Sequence, residues 1–166
     1  SLHDALPIYG YTLLFVSTSL STNPTLMASL PYKTPEDFSP ISMVVSYPFG
    51  LAARSTLPAN NMGEIIEYAK KNPGKVNFAS SGTGTSHQLA GEMFKQYAGV
   101  DITHVPYKGS PPAHVDLMGG SVDLMFDNIV AVGPLVKSGK LKALAVTSKT
   151  RSSTLPNVPT MQESGY

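Results

Sequence analysis

The chain has 166 residues, 42% of them hydrophobic, which is enough to build a core, and its 12 Lys+Arg against 11 Asp+Glu leave a formal charge of +1. No overall field draws it to nucleic acid or to an anionic membrane, and the absence of Cys excludes disulfides, thiolate catalysis and Cys-ligated zinc. Only 14% of the residues are charged, and 14 Gly with 14 Pro imply many turns.

In chain order, residues 1–9 show neither period nor cap, and Ala5-Leu6-Pro7-Ile8 is what one frame of a common sequencing adapter would encode, so a foreign tag is expected there. The β-branched, aromatic and apolar run 11–16 predicts a strand almost at the terminus. A second run, 41–53, reads as a strand interrupted at Pro48. Asn61 caps a predicted helix whose apolar positions Met62, Ile65, Ile66 and Ala69 share one face, and Asn72-Pro73-Gly74 stops it.

Helix and strand patterns then alternate. Strand 76–80 leads through a polar loop to a helix over 87–98, with Leu89, Met93, Tyr97 and Ala90, Phe94, Ala98 on two i, i+4 rows before Gly99. Strand 102–107, a short helix begun by Ser110-Pro111 and ended by Gly119-Gly120, strand 122–126, a helix over 131–137 and strand 141–147 follow. Strands alternating with helices over about seventy residues predict an α/β fold with a mainly parallel sheet. The chain stops after a turn-rich stretch at Glu163-Ser164-Gly165-Tyr166, where a cut end is expected.

Ligands of open parallel sheets sit beyond the carboxyl ends of the strands. The turn richest in donors there is Ser80-Ser81-Gly82-Thr83-Gly84-Thr85-Ser86-His87, with a row of hydroxyls, two glycines and the free N–H groups of the next helix. From Val76 to Gly91 there is no Lys, Arg, Asp or Glu, so an anion here would be held by neutral donors, which suits reversible capture of a carboxylate. The plainer reading is that the turn merely caps a helix. It is neither a Walker A loop nor a clean GxGxxG, because His87 stands where the third glycine belongs.

Asp127 just past an apolar strand offers a carboxylate to a ligand, or else caps the following helix; Lys108 attracts an anion or is a solvated turn residue. His87, His104, Ser86 and Asp127 suggest a hydrolase, but no G-x-S-x-G elbow exists and a His beside a Ser is not a triad. His3, His87, His104 and His114 show no metal-ligand spacing, so neither metal nor cofactor is expected.

An ordered series of motifs then carries a resemblance. Gly10-Tyr11-Thr12-Leu13-Leu14, Asn23-Pro24, Leu30-Pro31-Tyr32, Asp37-Phe38-Ser39-Pro40-Ile41-Ser42, Leu57-Pro58-Ala59, Asn72-Pro73-Gly74-Lys75 and Thr103-His104-Val105-Pro106-Tyr107-Lys108-Gly109 lead it. Asp123-Leu124-Met125-Phe126-Asp127-Asn128, Gly139-Lys140-Leu141, Ala143-Leu144-Ala145-Val146-Thr147-Ser148 and Leu155-Pro156-Asn157-Val158-Pro159-Thr160 complete it. In these the chain resembles the Bug family, the extracytoplasmic substrate-binding proteins of tripartite tricarboxylate transporters.

The resemblance implies a type II periplasmic-binding fold of two α/β lobes closing over a small carboxylate ligand, held mainly by backbone amides, hydroxyls and waters. It implies an incomplete copy, with 10–55 part of lobe one and 56–166 lobe two. By the same analogy Ser17 and Thr18 lie in a polar ligand loop, Ser81, Gly82, Thr83, Gly84, Thr85 and Ser86 hold a carboxylate, and Asp127 tunes ligand type. A periplasmic monomer serving membrane transporter subunits is implied, without enzyme activity; a sensor for a membrane signalling partner and an α/β hydrolase stay open as rivals.

Overall fold

The computed structural model describes residues 10–166; the expected tag at 1–9 lies outside the described residues. The chain divides into two units, one of the described residues up to Ser46 with Gly84–Ser86, the other Tyr47–Thr83 with His87–Tyr166. In the first unit the strand expected over 11–16 does not form, and Tyr11, Leu13, Leu14, Phe15 and Val16 are exposed. A lone strand has no ladder to join, and apolar character alone does not hold it. Helix α1, Ser19–Leu26, takes the place of the expected polar loop, with Thr18 at its N-cap and Pro24 inside it. The Ser17 hydroxyl oxygen accepts from Ser19 N–H at 3.4 Å, and Thr22 Oγ1 donates to Gly84 O at 2.7 Å.

The second unit is built on a five-stranded sheet of β1 (Phe49–Arg54), β2 (Val76–Ser80), β3 (Ile102–Pro106), β4 (Leu124–Asn128) and β5 (Leu141–Val146). Its order is β3-β2-β4-β1-β5. Strand β2 pairs parallel with β3 and β4, whereas β1 runs antiparallel between β4 and β5. Four strands therefore share one direction, as the alternating pattern predicts. The inserted β1 shortens the run expected over 41–53, because residues 41–48 form no strand. Residues 49–54, grouped with the first lobe in the sequence, thus lie inside the second unit's sheet.

Both sheet faces are covered, so alternate residues of one strand enter different cores. Leu51, Phe78, Leu124 and Phe126 meet α2 (Met62–Lys71) and α3 (Ser86–Ala98) through Ile65, Ile66, Ala69 and Phe94. Ala52, Ala79 and Met125 face Ala113 and Leu117 of α4 (Ser110–Gly119) and Val132 of α5 (Ile129–Lys137). Helix α2 follows its sequence pattern, with Met62, Ile65, Ile66 and Ala69 buried. Asn61 Oδ1 accepts from Glu64 N–H at 2.9 Å, satisfying one of the helix's unpaired donors, while Glu64 Oε2 accepts from the N–H of Asn60, just before the cap, at 2.7 Å. Burial of each isoleucine contributes about 1.5–3 kcal/mol.

On α3 only one of the two apolar rows is inward. Phe94 and Ala98 are buried with Gly91, whereas Leu89, Met93 and Tyr97 are 48%, 45% and 73% exposed. Strand β4 extends two residues beyond expectation, bringing Asp127 into the ladder opposite Gly50. The following helix is capped by Asn128, whose Oδ1 accepts from Val130 N–H at 2.9 Å. At the other end of β4, Asp123 binds Arg54 Nε at 2.7 Å and accepts from Asn77 N–H at 2.9 Å, tying three strands together away from the loop edge.

Candidate ligand-binding site

Strand β2 leads through α3 to β3 on one side, and β3 returns through α4 to β4 on the other side of β2. The chain direction across the sheet reverses between β2 and β4, and the carboxyl ends of strands at such a reversal are where open α/β sheets hold ligands. The loop after β2 supplies Ser81, Gly82 and Thr83 to the second unit, and the end of β4 supplies Asp127. Gly84, Thr85 and Ser86 belong to the first unit, as do Ser17 and Thr18. Gly82 and Gly84 take φ of 141° and 78°, conformations that side chains with a Cβ rarely adopt, so the chain can turn sharply here.

A chain of hydrogen bonds crosses the second unit's part of this edge. Ser81 Oγ lies 2.5 Å from His87 Nδ1, His87 Nε2 lies 2.9 Å from Asp127 Oδ1, and Asp127 Oδ2 lies 2.7 Å from His114 Nε2. Asn128 N–H adds a further donor to Asp127 Oδ1 at 2.6 Å. The His87 ring is fixed from its face by Phe49 of β1, stacked with centroids 5.0 Å apart and 22° between planes. Asp127 is 2% exposed. Burial favours its neutral form, but the bonds from His114 and His87, attraction to His87 and the Asn128 N–H prevail and hold its carboxyl well below the usual carboxylate range.

An ionised Asp127 has only acceptors, so both Nε2 atoms must carry their protons. Both oxygens of Asp127 are thus occupied by donors of this chain. Sequence reasoning missed this linkage: Ser81 and not the adjacent Ser86 meets His87, and His114 enters from α4. The polar Gly-rich turn before His87 and an acid at the end of a neighbouring strand were its visible signals. The chain of contacts also differs from a hydrolase triad, in which the serine meets Nε2 and the acid meets Nδ1; here those ring positions are exchanged. Among the described residues no group of three or more His, Cys, Asp or Glu is placed to hold a metal.

His104 supports the loop from β3, with Nε2 at 2.6 Å from Ser80 Oγ and its ring stacked 5.0 Å from Phe78. Burial lowers its pKa from 6.5, and Glu92 only partly opposes this. The unfolded chain therefore binds a proton at His104 more readily than the folded one, and His104 withdraws stability as pH falls through the unfolded value of about 6.5. Chemical denaturation of wild type and His104→Gln between about pH 8 and pH 5 should show wild type losing ground to the variant on acidification. A constant difference across that range would contradict the buried neutral imidazole.

A mainly parallel sheet whose order reverses beside a donor-lined loop places this unit among α/β folds. The tripartite tricarboxylate transporter family receptor matches residues 3–166, and the chain belongs to that family. Protein BugT of Bordetella pertussis (strain Tohama I) is 43% identical over 159 residues, covering 95% of this chain and 49% of its own length. The periplasmic binding protein BugD superposes with a TM-score of 0.84 at 44% identity, over 90% of this chain and 50% of BugD. MatC of Rhodopseudomonas palustris, solved with bound malate, gives a TM-score of 0.80 at 31% identity over 87% of this chain and 49% of MatC. The chain spans about half the length of the curated relatives it matches.

Proposed function

We propose that this chain contributes the capturing surface of a periplasmic solute-binding protein that delivers a small carboxylate-bearing solute to the membrane subunits of a tripartite tricarboxylate-type transporter. The observation that carries the reading is the uncharged, donor-rich loop at the strand-order reversal, set beside an Asp127 whose oxygens are already hydrogen-bonded to its own histidines. Ser81, Gly82, Thr83, Gly84, Thr85 and Ser86 supply hydroxyls and amides to the solute, each bond to a charged oxygen contributing about 1.5–3 kcal/mol. Ser17 and Thr18 are assigned as ligand groups on the family resemblance alone. Asp127 acts through His87 and His114 rather than by touching the solute. The receptor acts as a monomer and is not an enzyme; MatC's malate supports a di- or tricarboxylate as the solute class.

Gly84 tests the loop. At its φ of +78°, a Cβ would meet Asn23 Oδ1 at 2.9 Å and Leu26 Cδ1 at 3.5 Å. In a protein of the relatives' full length carrying this chain, Gly84→Val should weaken malate binding about a hundredfold or more while circular dichroism stays native, and Lys149→Ala, at an exposed residue outside the assigned site, should leave it within about twofold. Calorimetry showing normal affinity in the Gly84 variant would remove the loop from the site.

A further inference from the structure

The bonds that satisfy Asp127 also decide which way the Ser81 hydroxyl points its hydrogen. Because ionised Asp127 fixes the His87 proton on Nε2, the Nδ1 of a neutral His87 is an acceptor, and the Ser81 O–H 2.5 Å away must donate to it. Ser81 then presents only lone pairs outward, which repel a carboxylate. A proton on Nδ1 reverses the bond. His87 donates to Ser81 Oγ, and the Ser81 hydrogen is released to point at an anion.

We propose that the Ser81–His87–Asp127–His114 chain makes carboxylate capture proton-coupled, with His87 taking one proton from solvent as the solute binds and Ser81 turning from acceptor to donor. The inference rests on the receptor reading above and adds the polarity of one contact and its pH dependence. The proton goes to Nδ1, and the resulting imidazolium lies between the Asp127 carboxylate and the incoming one, so two negative charges share one positive charge. His87 is a positioning residue that acts through Ser81.

The titratable and charged groups around it are few. Asp127 of β4 meets Nε2, and His114 of α4 lies across Asp127. Phe49 of β1 covers the ring face without charge. The β3–α4 turn carries Lys108 next to Gly109, whose N–H donates to Ser81 O at 3.1 Å. Asp127 holds the proton on Nε2 throughout, leaving Nδ1 as the atom that gains or loses one.

The test is calorimetry of malate binding to the full-length protein at several pH values, in buffers of different ionisation enthalpy. Wild type should take up close to one proton per malate on the alkaline side, with affinity falling about tenfold per pH unit there. Ser81→Ala and His87→Gln should bind more weakly with a nearly flat pH profile, while Ser81→Thr, which keeps a hydroxyl, and His114→Gln should retain the slope. Malate binding without proton uptake in wild type would overturn the coupling and leave the receptor reading standing. A slope that survives in Ser81→Ala would overturn it equally, by placing the proton elsewhere. Absence of binding by malate, succinate or citrate in wild type would overturn the receptor reading and the coupling with it.

Discussion

Gly91→Ala should destabilise the fold by about 2–3 kcal/mol, and Gly91→Val by more, although the exchange of glycine for alanine inside a helix ordinarily gains about 1 kcal/mol. The sign depends on one contact. Gly91 faces the sheet from the middle of α3, and a Cβ built there falls 2.1 Å from Phe78 Cε2, 2.5 Å from Cδ2 and 2.7 Å from Cζ. Phe78 is 0% exposed and is packed in the same core as Ile65, Phe94 and Phe126, so the ring has no free space to retreat into. Relief requires α3 to lift from β2, which also withdraws Phe94 and Ala98 from the core. Urea denaturation, with the slope checked for constancy, measures the effect. A Gly91→Ala variant as stable as wild type would show that helix and sheet are not in such close contact.

Asp127→Ala should cost about 3–5 kcal/mol, because three donors lose their acceptor at about 1–3 kcal/mol each, less what relaxation recovers. Truncation leaves the Nε2 donors of His87 and His114 and the Asn128 N–H without their acceptor in a site that is 2% exposed at Asp127. Asp127→Asn keeps the shape and one oxygen acceptor, and should cost less, about 1–3 kcal/mol. The pH dependence follows from the lowered carboxyl pKa. A group whose folded pKa lies below its unfolded value contributes stability that is fully present above the unfolded value, about pH 4, and is lost as pH falls below it. The gap between wild type and Asp127→Asn should therefore be full near neutrality and shrink in acid. Denaturation curves for Asp127→Ala within about 0.5 kcal/mol of wild type would contradict the buried network.

The legibility of the sequence follows from whether a pattern is local. Helix α2 is readable because its cap, its apolar face and its stop signal agree within about a dozen residues. Strands β2 to β5 are readable for the same reason, and the loop at 80–86 is visible as a charge-free row of donors. Strand β1 is not, since nothing in Phe49–Arg54 states that it enters antiparallel between two strands that lie far downstream. Helix α3 offers two apolar rows of equal regularity, and only the position of Phe78 beneath Gly91 selects the one that is buried.

The hydrogen-bonded chain is the least local feature of all. Ser81 and His87 are six residues apart, but Asp127 follows His87 by 40 positions and His114 by 13. They meet because β4 pairs directly with β2, a consequence of strand order that no single segment encodes. A helix cap is the reading of Asp127 that its neighbouring sequence supports, and the cap is in fact Asn128. Only the paired strands turn Ser81, His87, Asp127 and His114 into one unit.

The most direct test of the receptor account is native mass spectrometry of the full-length protein purified from cells, followed by exchange against excess malate. The account predicts one polypeptide carrying one small carboxylic acid, released on denaturation and displaced by malate or a related di- or tricarboxylate. A protein that emerges empty, acquires no carboxylate from a saturating panel and gives no calorimetric heat with any of them would contradict it.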